Sequence, residues 1–148
     1  MRTIRFSSIV NAPREKVFDF YEKVESLMQI TPPKMAFWAE SDHERMVKGA
    51  EIILHFRVLR LFSIRWVKKI VESMPPERFE DIQESGPLQY WHHKHLFVQH
   101  GIQTEVIDEV DYELPLGFLG ALIDLVCIRR VLNRMFRFRH RRTTEIFG

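Results

Sequence analysis

Apolar and polar residues alternate along most of this chain, which is the pattern of strands that bury one face. The pattern predicts a first strand over Thr3–Val10 and, after a helical region, several short strands joined by local turns. Breaks at Gly49, Pro75-Pro76 and Gly86-Pro87 separate the later strands, and such local connections favour an antiparallel meander. These later strands are Met35–Ala39, Ala50–Val58, Phe62–Ser73, Arg78–Glu84, Gln89–Gln99 and Gln103–Glu113.

Two regions show the apolar spacing of helices instead. The first begins at Asn11-Ala12-Pro13, where proline suits the first turn, and ends at Thr31-Pro32-Pro33; we expect two short helices there. The second runs from Phe118 to about Arg141 and is apolar in its first half and basic in its second. This order of elements predicts a single α+β domain over residues 1–148, in which a curved antiparallel sheet wraps around the long C-terminal helix.

The last two strands are predicted to form a hairpin with its tight turn at His100-Gly101. In that register Gln99 pairs with Ile102, and four further pairs follow on one face of the sheet. They are Trp91 with Val110, His93 with Asp108, His95 with Val106, and Phe97 with Thr104.

This face combines aromatic and aliphatic residues with Trp91, two histidines and Asp108. Polar groups are costly on a buried face unless they are paired or line a cavity. One interpretation is a filled core with a satisfied His–Asp pair. The other is a small-molecule pocket, in which apolar walls surround a few convergent polar groups.

The composition is that of an ordinary globular protein, with 45% hydrophobic and 28% charged residues. The first residues lack the apolar run of a signal peptide, and the single cysteine, Cys127, excludes an internal disulfide. We therefore expect a cytoplasmic protein, and Cys127 is interpreted as a small core residue.

The net charge of +2 is unevenly distributed, because residues 129–148 contain seven arginines and only one acid. Cations are favoured near the C-terminal end of a helix, where they oppose the helix dipole. We expect no nucleic-acid partner, since no basic groove interleaved with aromatic residues accompanies the cluster. Transient contact of this Arg-rich C-terminal helix with an anionic membrane remains an alternative.

Several motifs resemble the SRPBCC superfamily, the helix-grip group that contains START lipid-transfer domains, birch-pollen-allergen-like proteins and polyketide cyclases. The segment from Phe6 to Phe18, with Ala12-Pro13 at its centre, is similar to the opening of these domains. Later motifs resemble a bacterial branch: Trp91-x-His93-x-His95-x-Phe97 and Asp108-x-Val110-x-Tyr112-x-Leu114-Pro115-x-Gly117. The resemblance covers nearly the whole chain and implies a cavity for a hydrophobic ligand between the sheet and the long helix.

Our leading hypothesis is a module that binds a hydrophobic or amphipathic small molecule, such as a lipid, quinone or polyketide. Ten side chains are the candidate ligand-binding residues: Phe56, Trp66, Trp91, Phe97, Val106 and Val110 as apolar wall, and His93, His95, Asp108 and Tyr112 at a polar end. The alternative is a cyclase, dehydratase or hydrolase in which Asp108 orients His93 as the general base. Whether the protein is an enzyme is left open.

The spacing His93-x-His95 with Asp108 opposite also resembles a two-His-one-carboxylate metal set. The cupin pattern would require a glutamate four or five residues after the second histidine, where this chain has Gln99 and His100. We therefore expect no metal and no cofactor. The sequence leaves Phe79, Asp81 and Gln83 unplaced, because the length of the turn at residues 84–89 decides which way they face.

Overall fold

The computed structural model describes residues 1–58 and 61–148 and shows one antiparallel sheet with helices on its concave side. The seven strands lie in the order β1-β7-β6-β5-β4-β3-β2. The first and last strands in the sequence are therefore neighbours, and the others follow as a meander. The strands are β1 (Arg2–Val10), β2 (Trp38–Ser41), β3 (Glu51–Val58), β4 (Phe62–Met74), β5 (Arg78–Ser85), β6 (Tyr90–His100) and β7 (Gln103–Glu113).

The helices confirm the predicted α+β helix-grip architecture. Two short helices, α1 (Arg14–Glu22) and α2 (Ser26–Gln29), follow β1, and a 3-10 turn spans Pro33–Met35. A long C-terminal helix consists of α3 (Gly117–Ile123), a π turn (Asp124–Ile128) and α4 (Arg129–Phe147). The helix therefore extends beyond the predicted end at Arg141.

The core lies between the concave face of the sheet and the helices α1 and α4. Leu132 and Phe136 of α4 are buried there, and Phe136 stacks on Phe6 of β1 with ring centroids 5.2 Å apart. Phe18 of α1 meets Phe79 and Phe97 edge-to-face. The alternation in the sequence produces this layer, because every second side chain of each strand faces the helices.

The hairpin register differs from the prediction by two residues. The turn is formed by Gly101 and Ile102, so that His100 pairs with Gln103, and the predicted turn at His100-Gly101 is wrong. The favoured two-residue turns need a positive φ at their first position, which Gly101 adopts at +60° and a histidine would adopt only with strain. The observed pairs are Trp91 with Tyr112, His93 with Val110, His95 with Asp108, and Phe97 with Val106.

A shift of two residues preserves the face on which each side chain lies. The inward orientation of Trp91, His93, His95 and Phe97 is therefore confirmed, and all four are buried. The polar inner face exists as predicted, although its direct cross-strand pairs are different.

Two further expectations are corrected by the structure. The predicted strand Met35–Ala39 begins only at Trp38, because Ala36 takes a left-handed conformation that closes the preceding 3-10 turn. Cys127, interpreted as a core residue, is exposed. It lies in the π turn next to Val126, which is also exposed, so this part of the helix stands away from the sheet.

Candidate functional site

A cavity of about 300 Å³ lies between the sheet and the long helix. Its walls are largely apolar and come from the inner faces of β3 and β4, from α4, and from the segment between α2 and β2. The apolar lining includes Leu27, Met35, Phe37, Met46, Ile52, Leu54, Phe56, Ile64, Trp66, Ile70, Leu88, Leu114, Ile128, Val131, Leu132 and Met135.

Charged and polar side chains reach this cavity from β4, β5, β6 and α4. They are Lys68, Asp81, His93, His95 and Arg139. Asp81, His93, His95 and Arg139 are 4%, 1%, 5% and 7% exposed, so these groups lie in protein interior rather than in water. A charged cluster at this depth requires internal partners.

Asp108 is fully buried behind the cavity and accepts hydrogen bonds from two histidines. His93 Nε2 lies 2.6 Å from Asp108 Oδ1, and His140 Nε2 lies 2.9 Å from Asp108 Oδ2. Burial alone would raise the pKa of Asp108, but the hydrogen bonds from His140 and His93 outweigh it and hold that pKa well below its ordinary value. Since an ionised carboxylate only accepts, both histidines carry a proton on Nε2.

The other ring nitrogen of His140 faces β1. Its Nδ1 lies 2.6 Å from Ser8 Oγ, and the two are hydrogen-bonded. Ser8, His140 and Asp108 form a hydrogen-bonded chain that joins β1, α4 and β7. Ser8 and His140 do not line the cavity, and the chain holds the C-terminal helix against the sheet.

Asp81 is the second buried carboxylate, and it faces the cavity directly. Its Oδ1 lies 3.1 Å from the indole Nε1 of Trp91 and 3.2 Å from Lys68 Nζ, and its Oδ2 lies 3.1 Å from His95 Nε2. Burial would raise the pKa of Asp81, but Lys68 and the hydrogen bond from His95 hold it well below its ordinary value. The ammonium of Lys68 also lies over the Trp66 and Trp91 rings, at 4.7 and 4.6 Å from their centroids.

His93 lies between the two carboxylates and is neutral. Burial, together with the adjacent His95 whose ring centroid is 3.7 Å away, lowers the pKa of His93 to about 3. Its Nε2–H is directed at Asp108, which leaves Nδ1 without a proton, 3.6 Å from Asp81 Oδ2. An imidazole with so low a pKa is a weak general base at neutral pH, because efficient bases titrate near the working pH.

Tyr21 and Tyr112 form separate hydrogen bonds on either side of this cluster. Tyr21 Oη lies 2.8 Å from Thr143 Oγ1, which itself donates to the carbonyl of Arg139, so the phenol donates to the threonine. Tyr112 donates to Asp124 Oδ1 at 2.6 Å, at the start of the π turn. Burial raises the pKa of both phenols, which therefore remain protonated donors.

The structure divides the ten predicted site residues into two groups. Four of them line the cavity: Phe56, Trp66, His93 and His95. The other six are buried and do not line it: Trp91, Phe97, Val106, Asp108, Val110 and Tyr112. Trp91 and Asp108 nevertheless contact the lining directly, through Asp81 and His93.

Sequence reasoning missed Lys68, Asp81, Arg139 and His140. Lys68 was detectable, because it interrupts an otherwise apolar alternating row that contains Ile64, Trp66 and Ile70. Arg139 belongs in sequence to the Arg cluster at the end of the C-terminal helix, but its side chain is buried.

Asp81, His93 and His95 are also the cluster that could hold a metal ion, since their ligand atoms lie within 4.8 Å of one another. Two histidines and one carboxylate suit a first-row transition metal. The ammonium of Lys68 is 3.2 Å from Asp81 Oδ1 and places a positive charge beside that position. This charge opposes a divalent cation, so the set does not fit a metal in the presence of Lys68.

No protein-family model matches the sequence, and a search of the curated proteins finds no significant match. Solved structures are similar in fold. The protein TTHA0849 from Thermus thermophilus has a TM-score of 0.74 at 14% identity, and the match covers 99% of this chain and 100% of that one. A norcoclaurine synthase point mutant from Thalictrum flavum, in complex with a transition-state analogue, has a TM-score of 0.71 at 15% identity and covers 99% and 96%.

The di-domain ARO/CYC protein BexL from the BE-7585A biosynthetic pathway matches with a TM-score of 0.72 at 15% identity. That match covers 98% of this chain and 46% of BexL. Identities this low establish the fold and nothing finer. The fold of this chain is therefore the α+β helix-grip fold that the motifs in its sequence implied.

Proposed function

We propose that this protein binds a hydrophobic or amphipathic small molecule, such as a lipid, a quinone or a polyketide, in the cavity between the sheet and α4. The observation that carries the proposal is the cavity itself: about 300 Å³, with apolar walls and a few charged side chains. Small-molecule sites have this composition, in which apolar surface supplies affinity and a few polar groups fix orientation. A filled structural core would leave no such space.

The ligand-contacting residues in this proposal are the cavity-lining members of the predicted set. Phe56 and Trp66 would contact the apolar body of the ligand, while His93 and His95 would lie near its polar end. Asp108 and Trp91 would act from behind, by fixing the orientation of His93 and of Asp81. Phe97, Val106, Val110 and Tyr112 would support the sheet beneath them.

Binding without turnover agrees better with the protonation state of the site than catalysis does. An enzyme of the cyclase, dehydratase or hydrolase type would use His93 as a general base, but its Nε2 donates to Asp108 and its pKa is about 3. A base of that strength holds an abstracted proton poorly at neutral pH.

A cavity-filling substitution tests the binding proposal. Ile52 lies on the inner face of β3 and lines the cavity, while its neighbour Ile53 points to the opposite face. We expect Ile52→Trp to lower the affinity for decan-1-ol or decanoic acid at least ~10-fold in calorimetric titration, which is about 1.4 kcal/mol. Ile53→Trp is the matched control and should bind as the unaltered protein does.

Native mass spectrometry of the purified protein gives an independent readout, because a tightly held ligand should remain as an adduct. Absence of saturable binding of either ten-carbon probe to the unaltered protein would refute the proposal. Binding that is unaffected by Ile52→Trp would place the ligand outside this cavity and refute it equally.

We further propose a transient contact with an anionic membrane surface through the C-terminal helix. Its first part is apolar yet exposed: Phe118 is 86% exposed, and Leu122 and Val126 are about half exposed. Four exposed arginines follow, and the ion pairs among the described residues include none of them: Arg129, Arg130, Arg134 and Arg137. An apolar surface beside basic residues suits the interface of an anionic bilayer.

No helix of the described residues is long and apolar enough to cross a membrane. Ile128 and Val131, which follow the exposed segment, also line the cavity, so a docked helix would bring the cavity close to the bilayer. Replacing Arg130 and Arg134 together by Gln should reduce the free energy of binding to phosphatidylglycerol vesicles by about 2 kcal/mol. Vesicle flotation measures this binding. Arg5→Gln on the outer face of β1 is the control.

Vesicles of phosphatidylcholine alone should bind the protein weakly. Equal binding to both vesicle types would contradict the electrostatic part of the proposal. A concentration-dependent dimer in sedimentation velocity, formed without vesicles and lost in Phe118→Ser, would show that a second copy covers this surface instead.

A further inference from the structure

The guanidinium of Arg139 is a buried cation in the wall of the cavity. The residue is 7% exposed, it lines the cavity, and its Nε has no hydrogen-bond partner. Its Cζ lies 5.2 Å from the centroid of the Phe136 ring, which is a cation–π contact and supplies no counter-charge. Arginine is almost never buried without an acceptor, because a cation out of water needs a counter-charge.

The carboxylates near the cavity are already engaged by other residues. Asp81 interacts with Lys68, Trp91 and His95, and Asp108 accepts from His93 and His140. Among the residues that the structure describes, no carboxylate forms an ion pair with Arg139. Arg139 therefore differs from Lys68, the other cation in the lining, which has its partner within the protein.

A guanidinium cannot avoid being a buried charge by losing its proton, since arginine remains charged in proteins. Its position on the buried side of the long helix directs it into the cavity and away from the outer surface. Leu132, Phe136, Arg139 and Thr143 recur at helical spacing and are all buried. The acceptor for Arg139 must then come from whatever occupies the cavity.

We infer that the ligand of this cavity carries a carboxylate that binds Arg139, so that the ligand class is that of a medium-chain carboxylic acid. The inference rests on the proposed function, since it names the polar end of the molecule bound in that cavity. A carboxylate matches a guanidinium with two parallel hydrogen bonds. The single negative charge of a carboxylate balances the single positive charge of Arg139, the lining cation without an ion-pair partner among the described residues. A phosphate would carry up to two negative charges.

The orientation of the ligand follows from the same residues. The carboxylate lies against Arg139 beside the charged cluster, and the alkyl chain extends along the apolar lining from β3, β4 and the α2–β2 segment. The neutral His93 and the Asp81–Lys68 ion pair do not compete for the carboxylate. Arg139 is thus the residue that distinguishes an acid from a neutral molecule of the same length.

The test compares two probes that differ only in charge, decanoic acid and decan-1-ol, by isothermal titration calorimetry at neutral pH. The unaltered protein should bind decanoate about tenfold or more tighter than the alcohol, as expected for a charge-assisted hydrogen-bonded pair. Arg139→Gln should abolish this preference and leave the affinity for the alcohol unchanged. Arg139→Lys should keep part of the preference, because it retains the charge and loses the bidentate geometry.

Arg141→Gln is the matched control, since it removes the same charge from an exposed position on the same helix. It should behave as the unaltered protein does. Thermal melts of all variants establish that they are folded. Because Arg139 makes no ion pair within the described residues, Arg139→Gln should melt no lower than Arg139→Lys.

The possible results separate this inference from the proposal on which it rests. If decanoate and decanol bind equally to the unaltered protein, the carboxylate inference is overturned and the hydrophobic-ligand proposal stands. If Arg139→Gln weakens both probes by the same factor, Arg139 has a structural role and the inference is again overturned. If neither probe binds the unaltered protein, the proposed function fails, and the inference fails with it.

Discussion

Acid should destabilise this protein at a pH where ordinary carboxylates are still ionised, because of His93. Burial and the adjacent His95 lower the pKa of His93 in the folded protein to about 3, whereas an exposed histidine titrates near 6.5. Between these values the unfolded chain binds a proton that the folded protein excludes. The contribution of His93 to stability is therefore complete above pH 6.5 and decreases as the pH falls toward 3.

The expected loss of stability follows from the difference between the pKa values of His93 in the folded and the unfolded protein. Each unit of pKa difference corresponds to about 1.4 kcal/mol, so the free energy of unfolding should fall by roughly 3 kcal/mol between pH 6.5 and pH 4. Asp81 and Asp108 also have lowered pKa values, but their contribution is lost only as the pH falls below about 4. The pH range in which His93 acts can therefore be separated experimentally from the lower range in which the two carboxylates act.

Urea denaturation at a series of pH values from 7 to 4 measures how steeply the free energy of unfolding changes with pH. In His93→Gln the amide can still donate to Asp108 but cannot titrate, so the loss of stability in this window should largely disappear. The control is His43→Gln, since the side chain of His43 is exposed and takes part in no ion pair among the described residues; it should keep the original slope. Our reasoning would be refuted by an unaltered protein with constant stability from pH 6.5 to 4, or by equal slopes in the two variants.

Three further predictions concern packing and metal binding. Phe136→Ala should lower the free energy of unfolding in urea by about 3–5 kcal/mol, because the ring is fully buried and stacked on Phe6; a loss under 1 kcal/mol would contradict this packing. Gly120→Ala should speed hydrogen exchange in α3 and leave the strands protected, since a Cβ at Gly120 would clash with the carbonyl oxygen of Pro115. Zinc should not bind at micromolar concentration in calorimetry, whereas Lys68→Met should gain binding; tight binding by the unaltered protein would contradict the role given to Lys68.

The sequence was sufficient to predict which side chains of the hairpin face inward, because alternation is a local property of a strand. It was not sufficient for the register, which depends on the residue that takes the first position of the turn. Gly101 takes that position, and the pairs shift by two as a result. His93 and Asp108 still meet, now as diagonal neighbours, because their side chains are long enough to bridge one step of the ladder.

Asp81 could not be placed from the sequence, because a side chain, and not a recognisable turn motif, closes the turn after its strand. The side chain of Gln83 donates to the carbonyl of Leu88 and accepts from the Leu88 amide, which closes the turn. Arg139 shows a different reason why the sequence alone does not reveal a site residue. In the sequence it is one of seven arginines near the end of the chain, and only the packing of α4 against the sheet separates this buried arginine from the exposed ones.

The pairing of β1 with β7 also constrains how this chain can fold. The two strands are distant in sequence: the hydrogen bond from Thr3 to Asp111 joins residues 108 positions apart. Closing so long a loop costs entropy before any strand contact repays it, and folding dominated by such contacts takes milliseconds to seconds. During synthesis, Phe6 and Val10 leave the ribosome long before the strand that will pair with theirs exists. We expect β1 to dock late, so the interval before docking is when misassembly with other nascent chains would compete with folding.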